Sequence, residues 1–171
     1  MRAGRGAAAA KEFLDRQVVA LAGRELGDLT ACASVLDVRQ RYELAYPNDL
    51  PSTRLLRSRQ LARLLLSMRP GDAVVTPAPK GVMFLVGAIA SDYLWAPDLI
   101  PELPHLRRVR WTHAVGETEL KRRTVNSLGS ISALFSVSAD VVLELDQHGT
   151  RLGNDDAALL SALQVRRKPS S

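Results

Sequence analysis

The spacing of hydrophobic positions changes character part-way along the chain. Between residues 34 and 46, Val35, Val38, Tyr42 and Ala45 recur at helical intervals, with Ser34 placed to cap the start and Pro47 to stop the end. A second helix is predicted from a Ser52 cap to Pro70. Its buried stripe is Leu55, Leu56, Leu61, Leu64, Leu65 and Met68, and Arg54, Arg57, Arg59 and Arg63 fall mostly on its other faces. An earlier helical stretch begins at Ala7, where Ala9, Phe13 and Arg16 share one face. It gives way at residues 18–22 to a short apolar run that reads as a buried strand, closed by Gly23 and the Gly27-Asp28 pair.

From residue 70 the helical period is lost. Pro70, Gly71 and Asp72 read as a turn into a strand at 73–76, and residues 82–90 as a long central strand with Gly87 inside it. An interior glycine marks a bulge or a close approach of backbone. Residues 91–95 continue or follow that strand. A proline-rich excursion over 96–105 leads to a further strand at 106–113, in which Val109 and Trp111 alternate. Residues 117–123 are predicted as a helical turn, 131–137 as a last strand, and 138–147 as a closing helix capped by Ser138 and stopped at Gly149. The weakly patterned residues 150–171 read as a mobile C-terminal tail, so the folded domain is expected over 1–149. Several short strands around one pair of helices predict an α+β fold, a small curved barrel flanked by helices. The strands do not alternate with helices, which argues against a doubly wound parallel sheet.

At 171 residues the chain is long enough for one self-sufficient core. Cys32 is its only cysteine, which excludes a disulfide framework and any multi-cysteine metal site. No apolar run approaches the ~18 to 20 residues of a membrane span, and Lys11, Glu12 and Asp15 interrupt the N-terminus before a signal-peptide core can form. A cytoplasmic location is the expectation. The net charge is +5, and the 23 basic residues comprise 19 arginines and four lysines. Arginine grips phosphate and guanine edges through paired hydrogen bonds, so the balance permits nucleic-acid binding without proving it.

Catalytic signatures are missing. There is no phosphate-binding loop of the G-x-x-x-x-G-K-[ST] type, no HExxH and no GxSxG. His105, His113 and His148 lack metal-ligand spacing, and His105, between Pro104 and Leu106, reads as structural. Glu119-Leu120-Lys121 forms an E-x-K triplet, but in a short polar segment that reads as a solvated face. Cys32 has no evident activating base. No catalytic group, metal or cofactor is therefore expected. A weak metal-dependent nuclease using Asp72, Asp98, Glu117 and Lys121 is the enzymatic alternative.

Aromatic residues are only 5% of the chain, and their placement is informative. Tyr93 and Trp95 fall at i and i+2 after the long strand, which puts both rings on one side. They border the proline-rich excursion, where a packed core is less expected. Trp111 sits among Arg107, Arg108 and Arg110. Aromatic faces beside arginines are the components of a base-stacking pocket with phosphate anchors.

The stretch GDAVVTPAPKGVMFLVGAIASDYLWAPDLIPELPHLRRVRW resembles the N-terminal domain of Mrr-type restriction system proteins, a PUA-like domain related to the EVE and YTH domains. The likeness extends to MRAGRGAAAAKEFLDRQVVALAGRELGDL at the start and to RTVNSLGSISALF, covering roughly Met1 to Val137. The resemblance implies a compact PUA-like β-barrel with helices on its flanks, and a pocket for one modified base. Carried onto this sequence, that pocket is built from Ala22, Gly23, Tyr93 and Trp95, with Asp98 near enough to bond a base edge. Arg2, Arg5, Arg24, Arg107 and Arg108 are the expected contacts to phosphates and bases. The chain departs from the family pattern where a tryptophan usually follows the second strand, since Leu21-Ala22-Gly23-Arg24 stands there. The first strand is also shorter, and no nuclease domain follows. The implied function is a stand-alone, non-catalytic reader that flips 5-methylcytosine out of methylated duplex DNA and marks it for a separate nuclease partner. An N6-methyladenine reader and an RNA-binding PUA-like module are the alternatives.

Overall fold

The computed structural model describes residues 7–78, 83–129 and 139–151. Within them the chain forms a mixed α+β fold in which a curled, half-barrel antiparallel sheet is flanked by helices. Helix α1 (Ala7–Asp15) leads into β1 (Val18–Leu21), and a 3-10 turn at Arg24–Leu26 precedes the hairpin of α2 (Val35–Ala45) and α3 (Pro51–Ala62). Strands β2 (Ala73–Pro77), β3 (Met83–Ile89), β4 (Leu94–Trp95) and β5 (His105–Gly116) follow, then α4 (Arg122–Gly129), α5 (Ala139–His148) and β6 (Thr150–Arg151).

Strand β5 organises the sheet. Its first half pairs with β1 and β4, since Leu106 faces both Ala20 and Leu94. Its second half pairs with β3 and β6, since His113 and Ala114 face partners in both. Strand β2 closes the order β1-β5-β3-β2. The predicted central strand at 82–90 reads as continuously apolar because the sheet is covered on both faces. Val74, Leu85, Ile89, Leu106, Val109 and Trp111 join the core made with α1, α2 and α3. Val75, Phe84, Val86 and Val115 join a second, smaller core with Leu120, Leu128 and Leu145.

Gly87 sits at the bulge its position predicts. The β3–β5 register slips between Val86 and Gly87, leaving Thr112 as the extra residue on β5. A Cβ at Gly87 would lie 2.6 Å from the Arg110 carbonyl oxygen and 2.9 Å from both Trp111 and Val109, so only glycine fits. The extra residue also resets the alternation of β5, which is why Val109, Trp111 and Ala114 all face the larger core.

Helix α2 starts as predicted: Ser34 and Asp37 form a reciprocal capping box. Helix α3 differs at both ends. Leu50 is its cap and Pro51 its first residue, so Ser52 lies inside it, because proline's missing N–H and fixed φ suit the first turn. Leu56, expected in the buried stripe, is 49% exposed. The helix ends in a π turn over Arg63–Ser67, closed by Met68 N–H on the Arg63 carbonyl at 3.0 Å. The segment after β5 is also more elaborate than one helical turn: a 3-10 turn at Glu117–Glu119 precedes the separate helix α4. Thr150 and Arg151, read as the start of a tail, pair with Ala114 and His113 of β5. The strand predicted at 131–137 and residues 152–171 lie outside the described residues.

The π turn turns Leu64 and Leu65 carbonyls toward Arg107 of β5. Arg107 is 3% exposed. Its Nε donates to the Leu64 carbonyl at 2.5 Å, Nη2 to Leu65 at 3.0 Å and Nη1 to Ser91 at 2.9 Å. Burial pulls its pKa down, and the Asp92 and Asp72 carboxylates oppose that; a guanidinium nevertheless stays charged in a protein. Arg107 was expected to contact DNA. Its guanidinium is instead committed to the interior, where it ties α3 and the turn after β3 to the central strand.

Arg107→Ala would leave three carbonyls without their charged donor. We expect a loss of about 3 kcal/mol, a fall of roughly 6–12 °C in Tm, with only partial recovery in Arg107→Lys, which lacks the fork. Thermal unfolding followed by circular dichroism checks this; an unchanged Tm would contradict the assignment.

Candidate nucleic-acid interface

The bend at residues 91–93 positions the aromatic pair. Strand β3 runs along β5 as far as Ala90, whose N–H reaches the Arg108 carbonyl at 2.8 Å, and β4 resumes on the same edge with Leu94 and Trp95 opposite Leu106 and His105. Tyr93 and Trp95 therefore come to the same ring, that of His105. The Tyr93 ring stacks at a centroid distance of 6.0 Å and an interplanar angle of 27°, and the Trp95 ring is tilted at 4.9 Å and 52°.

His105 is fully buried and its hydrogen bonds fix its state. Nε2 lies 2.9 Å from the Gly23 carbonyl, which can only accept, so Nε2 carries the hydrogen. Nδ1 is then bare and accepts from the Tyr93 hydroxyl at 2.7 Å, and that hydroxyl accepts from Leu29 N–H at 3.3 Å. Every donor in this chain has an acceptor, and the imidazole is neutral. Burial pushes the His105 pKa below its ordinary value, against the smaller opposing pull of Gly23 and Asp28. Burial likewise pushes the Tyr93 phenol up to about 12. Gly23 has a φ of 134°, and a Cβ there would meet Leu26 at 2.7 Å and His105 at 3.1 Å. Glycine is needed for both backbone and space.

Four of the five expected pocket residues thus converge: Tyr93, Trp95 and Gly23 through the His105 ring, with Ala22 adjacent to Gly23. Their roles differ. Tyr93 and Trp95 are both partly exposed, but the Tyr93 hydroxyl is spent on His105 and Leu29 inside the fold. Asp98 is exposed in the turn that follows Trp95. Arg24 is exposed and lies against the loop behind Trp95, with Nη1 3.4 Å from the Pro101 carbonyl. Arg108 is exposed, its Nη1 3.4 Å from the Arg16 carbonyl. Arg2 and Arg5 lie outside the described residues. Trp111 is a core residue, its Nε1 donating to the Phe13 carbonyl at 3.0 Å.

Ala22 and Gly23 also line a small cleft of about 60 Å³. Leu21 and Leu61 form part of its apolar lining, and its polar residues are Tyr42, Tyr46, Arg57 and Gln60. The Tyr42 and Tyr46 rings lie 4.8 Å apart at 33°. Arg57 Nη1 reaches the Tyr42 hydroxyl at 3.3 Å and Asp49 at 3.4 Å, and Tyr42 donates to Asp49 at 2.8 Å. Gln60 is only 9% exposed, and its Nε2 has no hydrogen-bond partner. An unmatched buried donor costs about 1–3 kcal/mol. None of these four polar residues, nor His105, was among the expected site residues. The signal for the cleft is Tyr42 on α2 and Tyr46 at its C-terminal cap, facing the i,i+3 pair Arg57 and Gln60 on α3, legible only once the two helices are placed side by side.

Asp72, Asp98 and Glu117 are not gathered: among the described residues no three His, Cys, Asp or Glu side chains could hold one metal ion. Burial raises the pKa of the Cys32 thiol. Among the described residues no helix is long and apolar enough to cross a membrane.

Over residues 2–136 the chain matches the family described as a domain of unknown function, DUF8426. It belongs to that family. No curated protein and no solved structure matches the chain. Within this DUF8426 domain, which spans α1 to β5 and α4, lie the His105 cluster and the Gln60 cleft alike.

Because folding holds His105 neutral while the unfolded chain protonates it near its ordinary pKa, stability is complete above about pH 6.5 and falls as pH drops toward the lowered folded value. The expected slope over that interval is at most about 1.4 kcal/mol per pH unit. Denaturant titrations at pH 7.5, 6.5 and 5.5 check it. A His105→Gln variant should be less stable at pH 7.5 and lose less between 7.5 and 5.5; equal losses would contradict the neutral-imidazole assignment.

Proposed function

We propose that this DUF8426 protein is a non-catalytic DNA-binding module that accepts one extruded base, with 5-methylcytosine as its foremost ligand. The observation that carries the reading is Trp95: a partly exposed indole on a short edge strand, braced by the buried His105 ring, with exposed Arg24 against the loop that follows it. An indole fixed at the end of a strand is a stacking platform, and stacking contributes about 1–3 kcal/mol per base. Extruding a base from a duplex costs a few kcal/mol, which stacking and arginine–phosphate contacts together can offset. The chain's resemblance to PUA-like modified-base readers and its arginine-weighted +5 charge support the same reading. One methyl group is worth only about 1–3 kcal/mol, so the preference for the modified base is modest.

Gel-shift titration of one duplex in unmodified, hemimethylated, cytosine-methylated and adenine-methylated forms, with an RNA duplex of the same sequence as competitor, tests this. We expect the cytosine-methylated duplex to bind roughly tenfold tighter than the unmodified one. Trp95→Ala should lose that preference, and Arg108→Ala should weaken all duplexes evenly and lower the salt dependence. Equal affinity for all DNA forms, with RNA preferred, would overturn the reading.

A further inference from the structure

We propose that the cleft between α2, α3 and the end of β1 receives the hydrogen-bonding edge of the base, and that Gln60 reads it. The proposal rests on the base-reader reading and assigns edge recognition to a place one backbone segment away from Trp95.

Gln60 Nε2 is the one buried side-chain nitrogen or oxygen among the described residues that lacks a partner. Other buried polar side chains are matched, including Arg107 on its carbonyls, Thr124 on Glu144 and His105 on Tyr93 and Gly23. A buried amide left unmatched in an otherwise satisfied fold calls for an explanation, and here it lines an open cleft. Among the described residues its N–H groups find no acceptor, which leaves them open to a ligand.

The surroundings narrow the ligand. Arg57 brings a positive charge, but Asp49 lies 3.4 Å from it and shares the Tyr42 hydroxyl, so the pair is close to neutral. A neutral polar group is therefore favoured over a phosphate or carboxylate. Tyr46, only partly buried, offers ring surface at the same cleft and is backed by the buried Tyr42 ring, which suits a planar heterocycle. The volume of about 60 Å³ is far below the ~300 Å³ of a site that encloses a small molecule, so one edge enters rather than the whole ligand. A carboxamide matches such an edge in two hydrogen bonds, as glutamine does with the amino group and ring nitrogen of adenine; cytosine presents the same pair.

The test is an NMR titration of wild type, Gln60→Leu and Tyr46→Ala with free cytidine, 5-methylcytidine and adenosine, run beside the duplex gel shift. Nucleosides should perturb the Gln60 side-chain amide and the Tyr42 and Tyr46 rings. Gln60→Leu should bind about tenfold more weakly, yet unfold at the same or a higher temperature, because it removes an unmatched donor. That combination separates a ligand role from a folding role. Nucleoside shifts confined to Trp95 and His105, or a Gln60→Leu variant that binds nucleoside and methylated duplex like wild type, would overturn the proposal and leave the reader standing. Nucleosides in the cleft without duplex binding by wild type would support it and remove the DNA reading.

Discussion

Three hydrogen bonds from one buried guanidinium hold this fold in register. Arg107, near the start of the longest strand, reaches the carbonyls of Leu64 and Leu65 in the π turn of α3, together with Ser91 at the bend between β3 and β4. A helix end buried against a sheet needs a donor for its last carbonyls, and burying a charge needs several acceptors. Each requirement meets the other at this point. The result ties both the α2–α3 hairpin and the β3–β4 bend to β5, the two elements that carry the candidate site.

From that anchor the site follows by short steps. The bend held at Ser91 lets β4 resume on the edge of β5, so Tyr93 and Trp95 land on His105 two residues before Arg107. His105 in turn reaches Gly23, at the end of β1, and Gly23 borders the cleft under α2 and α3. The neutral imidazole is thus a structural joint between the aromatic platform and the cleft. Trp95 and Gln60 are the groups in this arrangement with capacity left over: one is partly exposed, the other has unspent donors among the described residues.

Much of this was legible in the sequence where the signal is local. The Ser34 cap, the bulge at Gly87 and the shared side of Tyr93 and Trp95 depend on spacings of a few residues, and the structure has them as expected. Ser52 marks the wrong start for α3 because the preference of Pro51 for a first turn prevails over a serine cap. Arg107 reads as a surface cation in RRVRW, since its partners lie 16 to 43 positions earlier in the chain. Gln60 and Tyr46 carry no local mark at all; they become a site only when two helices align over the end of a strand. The curled antiparallel sheet with flanking helices agrees with the expected fold class.

In the proposed function a base leaves the duplex on binding. Fluorescence of 2-aminopurine placed beside the methylated cytosine reports it directly, because unstacking of the neighbouring base brightens the probe. Base extrusion predicts a rise in emission when wild-type protein saturates the duplex, and a much smaller rise with Trp95→Ala at matched saturation. Saturated binding with unchanged emission would contradict base extrusion and reduce the protein to a binder of the DNA backbone.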